Sequence, residues 1–283
     1  MAELILQERD LLQQKPIDPS QPLNIALIVG CARSGTSILG ELIASHPEVA
    51  YKHEAHAVWN KAGLGVNESH RLTEAHATDK VIRKIRKRFA AEMGQARLFV
   101  EKCPRSILRI PFIRKVFPEA KIIHIVRDGR DVACSLMPGI GGDEWRHLKP
   151  PNWQELFQNE RGIMRCALTW KTVMDIALQD LLEVPHLLVC YEDLVAHPQE
   201  TARRLLKFLN LPEHPAVFDF CRQIQNQTEG SYQAQKQVKW FRNDHSVRIG
   251  RWRENMTAEE AEKVNTLLRP LLQHFGYEEN ETP

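Results

Sequence analysis

The sequence predicts an α/β fold: a single domain with one central parallel β-sheet and helices on both of its faces. Three observations predict it. Continuous apolar runs, NIALIVG, ARLFVEK, AKIIHIVRD and HLLVCYEDL, read as strands buried on both faces, and they alternate with segments of helical periodicity. The first run leads into a glycine-bracketed turn, GCARSGTS at residues 30–37, and then into a helix. The composition, 43% hydrophobic and 26% charged over 283 residues, is that of an ordinary globular chain with a sizeable core.

Taken in order, residues 3–14 have the spacing of a short amphipathic helix, and a proline-containing linker over 16–22 joins it to a domain spanning 23–283. NIALIVG is the first strand. TSILGELIAS follows as a helix with Ile38, Leu39, Leu42 and Ile43 on one face, ended by His46-Pro47. Residues 80–93 place Val81, Ile82, Ile85, Phe89 and Met93 at helical spacing, with lysines and arginines over the rest. ARLFVEK is a strand, SILRIPFIRKVF a helix strained by Pro111, AKIIHIVRD a strand, and GRDVACSLM the start of another helix. Residues 138–160, rich in Gly, Pro and Trp, read as an irregular excursion. A long helix runs from about Arg161 to Leu182, HLLVCYEDL is a strand, and PQETARRLLKFLNL is a helix closed by Pro212. The last helix opens on a capping box of Thr257 and Glu260 and runs through Val264, Leu267, Leu268, Leu271 and Phe275 to Gly276. There is no internal repeat and no low-complexity tract.

Lys and Arg number 38 against 36 Asp and Glu, so global charge gives no reason to expect nucleic acid. The basic run Lys80 to Arg88 reads as a solvated helix face, or as an attractor for an anionic acceptor or an acidic carrier protein. The six cysteines (Cys31, Cys103, Cys134, Cys166, Cys190 and Cys221) show no metal spacing, and read as buried thiols in a reducing compartment. The first residues lack the basic end and apolar run of a signal peptide, and no stretch is long enough to span a bilayer. The expectation is a cytoplasmic protein without a membrane span.

The turn matches the phosphate-loop pattern GxxxxGK[ST] at Gly30, Gly35 and Ser37, but Thr36 stands where the lysine would. A helix N-terminus offers unpaired N–H groups and the positive end of a dipole, so a turn of this kind attracts a phosphate. Gly35 lets the backbone come close; Ser34, Thr36 and Ser37 add hydroxyls, and Arg33 adds a fixed charge. A strand–helix connection that merely needs glycines is the plainer alternative. A kinase would need Mg²⁺ and an acid at the end of a second strand. Asp128 could be that acid, but Arg127 beside it would repel a metal. No metal is therefore expected, and the substrate's terminal group should be less charged than a γ-phosphate.

At these residues the chain resembles the sulfotransferases that use 3′-phosphoadenylyl sulfate (PAPS). Their 5′-phosphosulfate loop often runs PRSGT, similar to Ala32-Arg33-Ser34-Gly35-Thr36-Ser37 here. Their second signature is a strand ending in Arg with a Ser further along in the next helix. HIVRDGRDVACSL supplies Arg127 and Ser135, a pair that in the family grips the 3′-phosphate. FVEKCP is similar to the EKxP stretch of the carbohydrate and many bacterial members. IGRWREN is similar to the Gly-and-basic loop that closes over the nucleotide, which brings in Arg248, Gly250, Arg251 and Trp252. The four matches occur in family order over about residues 25 to 254. The resemblance implies a P-loop-like sulfotransferase fold, PAPS as donor and PAP as product. Arg127 could instead form an ion pair with Asp128 or Asp131, and Trp252 could be a packing residue.

Transfer to a hydroxyl also needs a base. In the carbohydrate and tyrosylprotein branches a glutamate just after the first helix serves, and Glu54 in EVAYKHEAHAVW matches best; His53 and His56 flank it and remain candidates. If the segment is extended, alternation puts Lys52, Glu54 and His56 on one side and His53 on the other. Lys102 resembles the family lysine that contacts the sulfuryl group or bridging oxygen, with Arg33 sharing that role; its alternative is a salt bridge to Glu101. Trp59, Trp145 and Trp153 either border the acceptor or fill the core. The acceptor, whether sugar, lipid or polyketide hydroxyl, phenol or tyrosine, stays open. The rival readings are a Mg²⁺-dependent small-molecule kinase and a catalytically silent nucleotide-binding module.

Overall fold

The structure is a computed structural model that describes residues 18–61, 69–142, 145–226, 245 and 248–278. The N-terminal helix expected over 3–14 lies outside the described residues. Five parallel strands form one sheet in the order β2-β3-β1-β4-β5: β1 Ile25–Val29, β2 Val49–His53, β3 Leu98–Lys102, β4 Lys121–Val126 and β5 His186–Cys190. From β1 the chain goes to the edge strand β2, returns to β3 between β2 and β1, then crosses to β4 and the other edge strand β5. The strand order reverses between β1 and β4, and such a reversal opens a crevice at the carboxyl ends of the strands.

Alternation along β1 divides the core. Ile25, Leu27 and Val29 join one apolar cluster, while Ala26 and Ile28 join the other. On the first face lie helices with aromatic and aliphatic packing: α3 Asp79–Met93, α4 Ile110–Val116, α5 Gly129–Ile140, α7 Gly162–Leu181 and α12 Ala258–His274. On the second lie α1 Thr36–Ala44, α8 Tyr191–Ala196, α9 Pro198–Leu209 and α10 Pro215–Asn226. Three further α-helices, α2 His56–Lys61, α6 Trp153–Asn159 and α11 Trp252–Asn255, complete the set of α-helices among the described residues.

Five local expectations are corrected. Pro111 does not strain a helix: a 3₁₀ turn over Pro104–Leu108 precedes α4, and Pro111 occupies its first turn, where no amide donor is needed. Strand β5 stops at Cys190, and YEDL begins α8. Helix α9 is closed by Asn210 in the left-handed conformation (φ 59°), before Pro212 is reached. Within the excursion over 138–160, α5 runs through Pro138 to Ile140 and α6 forms at Trp153–Asn159. The alternation assumed for 51–57 fails at Glu54, whose φ of 53° ends the extended run, and Lys52 turns away to pair with Glu92 on α3 at 3.0 Å. The capping box at Thr257 and Glu260 forms as expected, with both reciprocal bonds present.

The crevice depends on Gly30 at the end of β1. A Cβ there would lie 2.6 Å from the Ile125 carbonyl oxygen and 2.7 Å from Ile125 Cγ2 on β4. Gly30→Ala is expected to lose about 1–3 kcal/mol in urea denaturation, whereas Gly142→Ala, where nothing lies within 4 Å of the added carbon, should leave the midpoint nearly unchanged.

Candidate active site

The turn after β1 is held from beneath. Ser34 N–H donates to the Cys31 carbonyl at 3.1 Å, and Arg33 and Gly35 take left-handed backbone at φ 75° and 93°. A Cβ on Gly35 would fall 2.4 Å from the Tyr191 ring, so glycine is required both by φ and by the close approach of α8. Helix α1 starts at Thr36 with no side-chain cap and no acidic residue in its first turn, which keeps its positive end uncompensated. Ser34 is fully buried, and its hydroxyl has no hydrogen-bond partner. Thr36 is buried; Ser37 is half-buried.

Arg127 ends β4 and is almost completely buried. Its Nη1 donates to the Arg33 carbonyl at 3.3 Å, and its Nη2 donates to the Arg248 carbonyl and lies 3.5 Å from Asp131 Oδ2. The guanidinium carbon stands 4.6 Å over the Tyr191 ring, and Nε has no hydrogen-bond partner. Of the two acids considered as alternative partners, Asp131 is near and Asp128 is not available. Both Asp128 oxygens are bonded to Arg130, at 2.7 to 3.1 Å, while Oδ1 also caps α5 through the Arg130 N–H. Arg33 Nε donates to Ser135 Oγ at 2.9 Å. The structure thus joins the cradle directly to the Arg127–Ser135 pair, and puts the Arg33 side chain beside Ser135.

The C-terminal stretch closes on the same place. Gly250 N–H donates to Asp131 Oδ2 at 2.8 Å and Trp252 N–H to Asp131 Oδ1 at 3.1 Å. The Trp252 ring lies between Arg130 and Arg253, whose guanidinium carbons are 4.3 and 4.5 Å from its centroid. Arg251 donates to Asn255 Oδ1 on its own turn at 2.7 Å.

The candidate base sits at the end of β2. Glu54 N–H donates to the Lys102 carbonyl at 2.7 Å, tying the β2 and β3 ends together. Its carboxylate accepts from Lys102 Nζ at 2.9 Å on Oε1 and faces His56 Nε2 at 3.1 Å on Oε2. The His56 contact, with help from Lys102, holds the Glu54 carboxyl down at about 2 against partial burial. Lys102 is therefore paired with Glu54 and not with Glu101. Glu101 points to the opposite face, where it accepts from Ala55 N–H at 3.2 Å and Trp59 Nε1 at 3.4 Å, and burial pushes its carboxyl up to about 7. His53 is exposed, with its ring edge-on to Tyr51 at 6.5 Å. Desolvation of the ring, then the charge of Lys102, lower its pKa.

Other expected side chains fall outside this group. Trp59 is core, packed against Phe89 and Phe112. Trp145 and Trp153 pair with ring centroids 5.6 Å apart, and Trp145 Nε1 donates to the Leu148 carbonyl at 2.7 Å. Along the basic run, Arg86 folds inward onto Glu119 and three backbone carbonyls, while Lys80, Arg83, Lys84, Lys87 and Arg88 form a solvated face. All six cysteines are free. No group of three or more His, Cys, Asp or Glu positioned to hold a metal occurs among the described residues, nor does a helix long and apolar enough to cross a membrane. Sequence reasoning named Asp131 only as an alternative ion-pair partner of Arg127, which it is; its bonds to the Gly250 and Trp252 N–H groups escaped it.

With this geometry in view, comparison with known proteins is specific. The model of the Sulfotransferase family matches residues 26–215. Protein-tyrosine sulfotransferase 1 of Danio rerio is 28% identical over 221 residues, covering 71% of this chain and 57% of that protein. Protein-tyrosine sulfotransferase 2 of Gallus gallus is 26% identical, over 68% of this chain and 52% of that one. The chain thus spans about half the length of these curated relatives. Among solved structures, the sulfotransferase domain from the curacin biosynthetic pathway superposes with a TM-score of 0.57 at 19% identity, covering 88% of this chain and 98% of that domain, and so shares the fold. A family match that runs from β1 through the cradle, Lys102 and Arg127 to the start of α10 settles the assignment: the chain belongs to the sulfotransferase family.

Proposed function

We propose that this protein transfers a sulfuryl group from PAPS to a hydroxyl acceptor, with Glu54 as general base. The observation that carries the reading is the pairing of two buried, unsatisfied donors at the carboxyl edge of the sheet: Ser34 Oγ in the cradle and Arg127 Nε at the end of β4. A buried polar atom without a partner is costly, and these two suit the separate anionic ends of an adenosine 3′-phosphate 5′-phosphosulfate. Bound PAPS would supply the sulfuryl group and depart as 3′,5′-ADP. Ser34, Thr36, Ser37 and the first N–H groups of α1 would hold its 5′ end, and Arg127 with Ser135 its 3′-phosphate.

Glu54 is ionised through the neutral range, so it can accept the acceptor's proton as the new S–O bond forms. Lys102, held against Glu54 by one hydrogen bond, is the cation placed to offset charge on the departing phosphate, and its turning away would raise the basicity of Glu54. His56 orients the carboxylate from its other oxygen. The names of the curated relatives make a peptide tyrosine the first acceptor to test. The kinase reading loses its acid, because Arg130 occupies both oxygens of Asp128. Cytoplasmic location stays part of the proposal, supported by six free thiols.

In thermal denaturation, PAP in the presence of EDTA should raise the melting temperature, and ATP with Mg²⁺ in EDTA-free buffer should not. The reverse pattern restores the kinase. Glu54→Gln should lower kcat by about 10²–10⁴-fold with a tyrosine-containing peptide or another acceptor that the wild type sulfates. An unchanged kcat removes Glu54 from the chemistry. The pH profile separates the candidate bases. A carboxyl held at about 2 stays deprotonated above that value, so kcat/KM should be flat from about pH 5 to 7, whereas a histidine base would give an acid limb near or below its ordinary value of about 6.5.

A further inference from the structure

We infer that Asp131 is a positioning residue for donor binding: its carboxylate docks the 248–252 loop on α5 and steadies Arg127 before the donor arrives. The inference rests on the proposed nucleotide site. It starts from three side chains of one short stretch, Arg127-Asp128-Gly129-Arg130-Asp131, that meet three successive features of Arg248-Ile249-Gly250-Arg251-Trp252. Arg127 Nη2 donates to the Arg248 carbonyl, Asp131 accepts from the Gly250 and Trp252 N–H groups, and Arg130 stacks on the Trp252 ring. The two stretches lie 119 residues apart.

Asp131 is fully buried, and both of its oxygens are used on the loop backbone, at 2.8 and 3.1 Å; Oδ2 also faces the Arg127 guanidinium at 3.5 Å. A buried carboxylate persists only if such partners replace water. The arrangement is a closed circuit: Asp131 holds the loop, the loop carbonyl of Arg248 holds Arg127, and Arg127 returns to Asp131. Arg127 reaches the cradle through the Arg33 carbonyl at 3.3 Å. Loop order and the aim of Arg127 are therefore one property. A donor whose 3′-phosphate is gripped by Arg127 meets a site already assembled, which reduces the ordering cost of binding.

Asp131→Asn keeps the shape but turns one acceptor into a donor facing an N–H group. Hydrogen exchange of peptides spanning 248–255, followed in ligand-free protein, should be faster in the variant than in wild type. The Kd for PAP should rise about tenfold or more, while kcat at saturating donor and acceptor stays within about twofold and the KM for acceptor is unchanged. Faster loop exchange with unaltered PAP affinity overturns the inference, because the contact would then be structural only. Weaker PAP binding with unaltered exchange also overturns it, leaving Asp131 to act on Arg127 alone. Should the variant fail to fold, wild-type protein decides: Gly250 and Trp252 amides that exchange as fast as a free peptide contradict docking, and protected amides support it. Failure of wild type to bind PAP strikes the nucleotide reading instead, and the exchange comparison then judges docking by itself.

Discussion

Burial of one guanidinium organises this molecule. Arg127 leaves the sheet at the end of β4, in the crevice where strand order reverses, and is nearly sealed from solvent. A cation there needs close partners to replace water, and all of its groups but Nε have them. The cradle provides the Arg33 carbonyl, the C-terminal loop the Arg248 carbonyl, α5 the Asp131 carboxylate and α8 the face of Tyr191. Four parts of the chain, distant in sequence, are thereby fixed around one charge. Tyr191 in turn lies under Gly35, so the turn that would receive the 5′ end is shaped by the same residue that covers the arginine.

A second constraint acts at the sheet's other side. Glu54 takes left-handed backbone, which costs about 1 kcal/mol or more for a residue with a side chain, and that conformation is held by its N–H bond to Lys102 and by the Ala55 N–H bond to Glu101. The kink directs the Glu54 carboxylate toward Lys102 and His56 instead of continuing the strand. Adjacent residues on β3 thus serve different ends: Glu101 secures the bend from the core, and Lys102 faces the carboxylate.

Much of this was legible in the sequence because it is local. Four apolar runs marked four of the five strands, and the spacing of Gly30, Gly35 and Ser37 between a strand and a helix marked the cradle. The Thr257 and Glu260 box was read from two side chains and formed as read. What escaped is long-range or conformational. Nothing local in Asp131 announces that it accepts from amides 119 and 121 residues away. Glu54 carries no glycine-like signal for its φ. Tyr191 continues an apolar run and looks like strand, but tertiary packing under Gly35 outweighs that preference and the chain turns helical. Pro111 was misjudged because its effect depends on whether a helix passes through it or begins there.

The central claim is that Arg127, at this hub, receives the 3′-phosphate of the donor. Isothermal titration calorimetry on a two-by-two set tests it: wild type and Arg127→Gln, each titrated with 3′,5′-ADP and with 5′-AMP in the presence of EDTA. The account predicts that losing the 3′-phosphate greatly weakens binding to wild type but scarcely changes binding to the variant, a strong non-additivity. Equal losses in both proteins would contradict it.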